Sequence, residues 1–496
     1  MITVTLIVMF VIWAIIKYIL IMRHTESFVK NVKFQTFFVP FIGNLLSLVG
    51  KSPEEIFKTL IKSLAQKDTP LKFYLGTKLF VTLNKPEDVK EILMSPNCFD
   101  RPSSSKLFPF INGLPNERSA ARWKPLRKLL NPMFNLKTLK SFIPVFNVKS
   151  RIMLKELRDE VGRPEFNLLH YTSACSLDSI CSTVMGIDID LKSNRGKEFI
   201  ESVKNVLGFT IQRCSQPWTY FDSIFRWTNL YKQEQENCAI IRNLSNMVFE
   251  EKTKALLAAK CDNPSGNSEY QWNKAHLSFI PLYIEGKMSE ELVKQQIESF
   301  LIAGYETTGS ATAFAILALA MHPHIQEQVF DELRLVYESQ DEETTNEHIQ
   351  KLHLLDRVIK ETLRLFPTVP NILRSTSDMV SISDCTLPKD TSVILSIFTM
   401  HRRKDVWGDA DEFNPDHFLP ENVEKRHPFA FVPFGGGPRN CIGHQYALYS
   451  IKVMLSAILR NFQFSTQLTM SDLDLSFDIT LKLKNKHLVR LVHRSW

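Results

Sequence analysis

The sequence predicts a mainly α-helical protein with a small β region, preceded by one N-terminal transmembrane helix. Three observations carry this expectation. The chain opens on an apolar run from Ile2 to Met22. Helical spacing of apolar residues recurs near 195–213, 229–258, 289–320 and 445–459. Period-two alternation is confined to residues 69–86 and to the end of the chain.

As a helix the opening run is about 30 Å long, enough to cross a bilayer. Lys17 lies near one end of it, where its stem can snorkel. No charged side chain precedes the run, while Arg23, Lys30 and Lys33 follow it, which keeps the bulk of the protein cytosolic. A cleaved signal peptide would need a basic start and a small-residue cleavage site, and a mitochondrial presequence would need arginines. Neither pattern is present, so we expect a retained anchor over residues 1–23, a linker over 24–45 and the remaining domain over 46–496.

The 496 residues suffice for a large core. With 44% hydrophobic and 23% charged residues the chain is globular rather than disordered. A net charge of +7 suits an acidic protein partner or an anionic membrane. No basic stripe with interleaved aromatics appears, so nucleic acid is not an expected partner. The eight cysteines are widely and irregularly spaced with no C-x-x-C, which excludes a zinc ribbon or a dithiol redox motif. They are expected to be reduced thiols.

One cysteine differs from the rest. Cys441 sits in Phe434-Gly435-Gly436-Gly437-Pro438-Arg439-Asn440-Cys441-Ile442-Gly443, just before a helical pattern. Most free cysteines are small buried hydrophobes. Here a helix N-terminus favours negative charge and lowers a thiol's pKa, and the thiolate is the form that binds metal. Gly435, Gly437 and Gly443 let a flat partner approach, and Arg439 can pair with a carboxylate on it. A cysteine on iron, with a porphyrin supplying the equatorial ligands, fits this arrangement.

Phe434, Gly437, Arg439, Cys441 and Gly443 match every fixed position of Phe-x-x-Gly-x-Arg-x-Cys-x-Gly. This resembles the haem-binding signature of the cytochromes P-450, and three further segments resemble that family in its order. Trp123 and Arg127 stand four apart on one helix face. Ala303-Gly304-Tyr305-Glu306-Thr307-Thr308 interrupts a long helix with a glycine that costs about 1 kcal/mol against alanine. Thr307 can bond a carbonyl one turn back and open the ladder there. Glu361 and Arg364 are spaced to pair.

The resemblance implies the cytochrome P-450 fold and a haem b held by the axial thiolate of Cys441. It implies that Phe434 and Gly435 lie beside the thiolate, and that Trp123, Arg127, Arg439 and Arg374 meet the haem propionates. Glu306 and Thr307 are implied to deliver protons, and Glu361–Arg364 to form a buried structural pair. Pro367–Leu373 is implied to line the substrate pocket. The closest likeness is to the microsomal, insect-type fourth-family group, to which residues 171–186 are also similar. This implies an endoplasmic reticulum membrane protein with its catalytic domain on the cytoplasmic side. NADPH-cytochrome P-450 reductase is the implied donor, with cytochrome b5 as an optional second. The implied activity is a monooxygenase acting on a lipophilic substrate such as a fatty acid, a hormone or a xenobiotic. Docking would use Lys124, Lys128, Lys425 and Arg426.

Three departures stand out. The usual hinge is reduced to Val39-Pro40-Phe41-Ile42-Gly43-Asn44. Ala303 stands where many fourth-family members carry a glutamate ester-linked to haem, so a non-covalent haem is expected. His417 stands where an arginine usually completes the Glu361–Arg364 pair, leaving a weaker or pH-dependent charge. Two other functions remain open at this point. One is reductase-independent rearrangement of an oxygenated lipid, the other a haem or lipid carrier without turnover. The aromatic cluster Trp218–Trp227 is read either as interior packing or as a surface that dips into the membrane. Asn243-Leu244-Ser245 fits a glycosylation acceptor that a cytosolic helix would never present to that machinery.

Overall fold

The computed structural model describes residues 2–66, 69–107, 112–187, 194–262 and 279–496. Its axis is the helix Glu290–Met321, capped by Ser289, whose hydroxyl accepts from Leu292 N at 3.3 Å. Apolar residues on all its sides make it a core helix. Phe314 to Ala320 join one apolar cluster with Ile451, Met454 and Leu455, while Val293 to Tyr305 join a second with Leu177, Ile180 and Tyr446. The helix therefore spans both halves of the core.

Small residues let a neighbour come close. A Cβ on Gly309 would lie 2.8 Å from Ser173 Cα, and one on Gly304 would lie 2.8 Å from Ile180 Cδ1. Helix Leu169–Ile180 packs there. Packing therefore supplies the reason for Gly304. The expected opening of the ladder is not seen, because the helix is continuous through residues 303–308. Helix His444–Asn461 also packs on the central helix and meets the continuation of Leu169–Ile180, where Tyr446 Oη and Thr183 Oγ1 lie 3.0 Å apart.

The alternation at 69–86 forms strands Leu71–Leu75 and Lys78–Leu83. They sit in a five-stranded sheet with Lys33–Phe34 at one edge and Ser392–Ser396 then Asn371–Ser375 on the other side. At the chain's end, Leu475–Phe477 and Leu481–Leu483 pair as an antiparallel hairpin. Leu488–His493 does not extend it. That strand pairs with Phe462–Ser465 and with Phe166–Asn167, burying Val489 and Leu491 against Phe462 and Phe464. Asn229–Asp262 is one helix, running slightly past the pattern read near 229–258, and residues 263–278 lie outside the described residues.

The opening helix runs from Ile2 to Val29, past the expected end of the anchor. Thr3–Val29 contains an 18-residue window with a mean hydropathy of 2.6 and is long and apolar enough to cross a membrane. Its last turn belongs to the fold. Val29 is buried, and Glu26 accepts from Lys72 Nζ at 2.6 Å and from Tyr74 Oη at 2.7 Å. Lys72 is itself 2% exposed, so Glu26 neutralises a buried ammonium. The stretch expected to be a linker thus carries a docked turn and a sheet strand.

A form lacking residues 2–22 keeps Glu26 and is expected to unfold at the same denaturant midpoint as the full chain. A form lacking residues 2–32 strands Lys72, and its midpoint should drop clearly in parallel urea titrations.

Candidate functional site

Phe434–Gly443 forms a tight loop closed by its own backbone. Cys441 N donates to Phe434 O at 2.8 Å and Asn440 N to Gly437 O at 3.1 Å. Gly437 has φ +65°, and a Cβ there would lie 2.2 Å from Leu93 O, so only glycine passes. Phe434 packs its ring 4.6 Å from that of His444 at the start of the following helix. The loop fixes the backbone of Cys441 and leaves its side chain exposed.

Arg127, on helix Ala120–Leu130, holds the loop from the side. Its Nη1 donates to Asn440 O at 2.7 Å and its Nη2 to Asn440 Oδ1 at 3.1 Å. The expected lowering of the thiol pKa does not follow from the protein alone. Crowding by the surrounding protein raises the Cys441 thiol although its surface is open to solvent, and the Gly443 N–H and the Arg127 charge only partly offset it. A bound metal ion would be needed to keep the sulfur deprotonated.

Next to this loop lie three guanidinium groups, of which Arg374 is buried and Arg101 and Arg439 are half-buried. Arg374 is 2% exposed and donates from Nη1 to Leu373 O at 3.0 Å. Arg439 donates from Nη2 to Glu117 O at 2.7 Å and stacks 4.7 Å from the buried ring of Trp123. Its Nε has no partner, nor has the Nε of Arg101. Among the described residues none of the three forms a salt bridge. Asp100 is bonded to Ala120 N, and Glu117 is paired with Arg122. Burial and mutual repulsion pull Arg374 well down, and burial with the charge of Arg101 pulls Arg439 to about 10. Such a cluster is incomplete without an anion.

The frame behind the loop is an ion pair. Arg364 Nε and Nη2 donate to Glu361 Oε2 and Oε1, each at 2.7 Å, and both side chains are fully buried. Arg364 also donates to the carbonyls of His401, Ala410 and Glu412 at 2.6–3.0 Å. Glu361 Oε1 further accepts from Asn414 N at 2.8 Å and lies 3.1 Å from His417 Nδ1. His401 Nε2 in turn accepts from Val432 N at 3.1 Å, on the approach to the cysteine loop.

On the central helix, Ala303 is exposed between buried Ile302 and half-buried Gly304, and Thr307 Oγ1 donates to Ala303 O at 2.8 Å. Glu306 is ion-paired with Lys482 and accepts from Thr480 Oγ1 at 3.2 Å. Burial alone would raise its carboxyl, but Lys482 and these hydrogen bonds hold it below the usual range.

The cytochrome P450 family model matches residues 33–489. This chain is a cytochrome P450. Cytochrome P450 4c3 of Drosophila melanogaster is 32% identical over 92% of this chain and 88% of its own length. Cytochrome P450 4V2 of Homo sapiens is 30% identical over 92% of this chain and 88% of its own length. Cytochrome P450 4c21 of Blattella germanica is 30% identical over 86% of each. Family members are haem monooxygenases whose iron is bound by a cysteine thiolate.

In this cytochrome P450 the fold gathers Cys441, Phe434, Gly435, Arg439, Trp123 and Arg127 at one loop, with Arg374 delivered by strand Asn371–Ser375. Two members of the site gave no signal in the sequence. Arg101 follows Asp100 in an irregular segment. Lys482 sits between Leu481 and Leu483, and the alternation alone places it on the face opposite the core. Of the four docking candidates, Lys124, Lys128 and Lys425 are exposed. Arg426 is committed elsewhere: it stacks 4.2 Å from the Trp407 ring and donates to His417 O.

Glu361→Ala leaves a buried guanidinium unpaired, which costs about 3–5 kcal/mol. The haem-to-protein ratio of the purified variant should fall to a small fraction of wild type. Burial also drives the imidazoles of His401 and His487 down to about 3. Their folded pKa lies below the unfolded value of about 6.5. The stability they contribute is therefore complete above about pH 6.5 and is lost as pH falls toward 3. Urea midpoints at pH 7.5, 6 and 5 should decline in order, and less steeply in His487→Phe.

Proposed function

We propose that Cys441 is the axial ligand of a non-covalently held haem b. On this reading the enzyme inserts one oxygen atom from O₂ into a lipophilic substrate. Electrons come from NADPH-cytochrome P450 reductase, with cytochrome b5 as an optional second donor. The observation that carries this reading is a backbone-locked, accessible cysteine beside three guanidinium groups, one buried and two half-buried, that have no carboxylate ion-pair partner among the described residues. A planar dianion such as a haem supplies the missing charge, and its iron supplies O₂ binding and reduction.

The chain's own residues do the rest. Arg374, Arg439 and Arg101 neutralise the two carboxylates, with Trp123 packed under Arg439. Arg127 fixes the cysteine loop, and Phe434 shields the sulfur from water. Thr307 and Glu306 hold and pass protons on the opposite face. Pro367–Leu373 lines the pocket, and Leu481 N donates to Thr368 O at 2.9 Å, which ties the C-terminal hairpin to that wall.

The enzyme is anchored in the endoplasmic reticulum membrane by its first helix, with the catalytic domain in the cytoplasm. Exposed apolar side chains near 218–227 support a second contact with lipid. Trp218, Phe221 and Trp227 are 48%, 65% and 92% exposed, while Phe225 is buried. Exposed Trp suits the headgroup level. Lys124, Lys128 and Lys425 offer positive charge to an acidic donor protein.

The test is the spectrum of the reduced protein under carbon monoxide. The long-wavelength band of a sulfur-ligated centre is expected in wild type and absent in Cys441→His. A globin-like band in wild type overturns the reading. Acidic organic extraction should release all haem, because Ala303 cannot form an ester. Substrate oxidation that proceeds without NADPH would favour the rearrangement chemistry instead.

A further inference from the structure

Residues 113–120 cross from the central helix to the arginine cluster, and their backbone is bonded at both ends. Gly113 N donates to Ser299 Oγ and Leu114 N donates to Gln296 Oε1, each at 2.9 Å. Ser299 and Gln296 are fully buried on the central helix, about one and two turns before Ala303. Both acceptors are aimed. Ser299 Oγ donates to Gln295 O at 2.7 Å, which leaves its lone pairs for the Gly113 amide. Gln296 Nε2 donates to Leu292 O at 3.3 Å, which turns its oxygen toward Leu114. The contact needs a glycine. A Cβ at position 113 would lie 2.3 Å from Ser299 Oγ and 2.9 Å from Gln295 O. Leu114 packs beside it in the second apolar cluster with Trp123 and Ile297.

From there the hydrogen bonds continue without a gap. Gly113 O accepts from Asn116 N and from Glu117 N, each at 3.1 Å. Glu117 O accepts from Arg439 Nη2 at 2.7 Å. Ser299, Gly113, Glu117 and Arg439 thus stand in one line of three hydrogen bonds joined by a tight turn. The far end is pinned as well. Ala120 N donates to Asp100 Oδ1 at 2.7 Å, at the start of the helix that carries Trp123. Arg439 takes both of its supports from this segment and that helix, the Glu117 carbonyl and the Trp123 ring. An arginine side chain has much rotamer freedom to lose, so its contacts decide where the guanidinium stays.

We propose that Ser299 and Gln296 are positioning residues for the cofactor. Through the Gly113–Glu117 turn they hold the Arg439 guanidinium where a haem carboxylate meets it. This rests on the haem reading above. The grip on the prosthetic group is then set partly by the central helix, through residues that reach the arginine only by way of the turn. Ser299→Ala strands the buried Gly113 N–H, and Gln296→Leu strands that of Leu114. A stranded amide must find another partner, so the turn lifts from the helix and carries Glu117 O away from Arg439.

Full-length enzyme loaded with haem is mixed with excess apomyoglobin, and haem transfer is followed by absorbance. Ser299→Ala and Gln296→Leu should each lose haem about fivefold faster than wild type, the size of one net hydrogen bond. In an Arg439→Gln background haem loss is already fast, and Ser299→Ala should add nothing to it, because both act at one contact. Resonance Raman spectra of the same proteins give a second readout. The propionate-bending band should shift in Ser299→Ala while the iron–sulfur band stays in place. A wild-type rate of haem loss in either single variant overturns the proposal, as does a further acceleration by Ser299→Ala in the Arg439→Gln background. If Arg439→Gln takes up no haem, the Raman bands decide, and an unmoved propionate band in Ser299→Ala overturns the proposal. A wild-type protein without the sulfur-ligated carbon monoxide band instead overturns the reading on which this rests.

Discussion

The Glu361–Arg364 pair is the contact on which the rest of the site depends. A bidentate pair with no exposed surface has little net stabilising value against an apolar alternative. Its worth here is positional. Each remaining polar atom is spent on a carbonyl or amide from residues 401–414, the stretch that leads to the cysteine loop. Trp407 lies between the guanidinium of Arg364 at 5.0 Å and that of Arg426 at 4.2 Å. One helix thereby sets the path of a long irregular segment that has no ladder of its own.

His417 occupies the third corner of this arrangement. Its Nδ1 reaches Glu361, but a single imidazole nitrogen cannot reproduce an arginine fork. Arg426 stacks on the same Trp407 ring and donates to His417 O.

Periodicity exposed the elements that bury a face. The central helix, the helix after Cys441 and the strands at 71–83 all declared themselves through repeating apolar positions, and the opening helix through a long apolar run. Fixed spacing within one helix or loop likewise made Trp123–Arg127, Glu361–Arg364 and the cysteine loop readable. What escaped was tertiary. Lys482 meets Glu306 across 176 positions of chain, and no local pattern encodes such a meeting. Arg101 lies in a segment without period. The last strand chose Phe462–Ser465 over the adjacent hairpin because that pairing buries Val489 and Leu491, a preference set by the shape of the core.

The methyl group at position 303 has a consequence for how the enzyme lives in a cell. On the proposed reading no side chain there welds the prosthetic group in place, so its retention would be an equilibrium. The loaded fold then gains stability with the logarithm of free cofactor concentration. The abundance of active enzyme would follow porphyrin supply, and an emptied chain could be refilled or rebuilt with an unnatural metal.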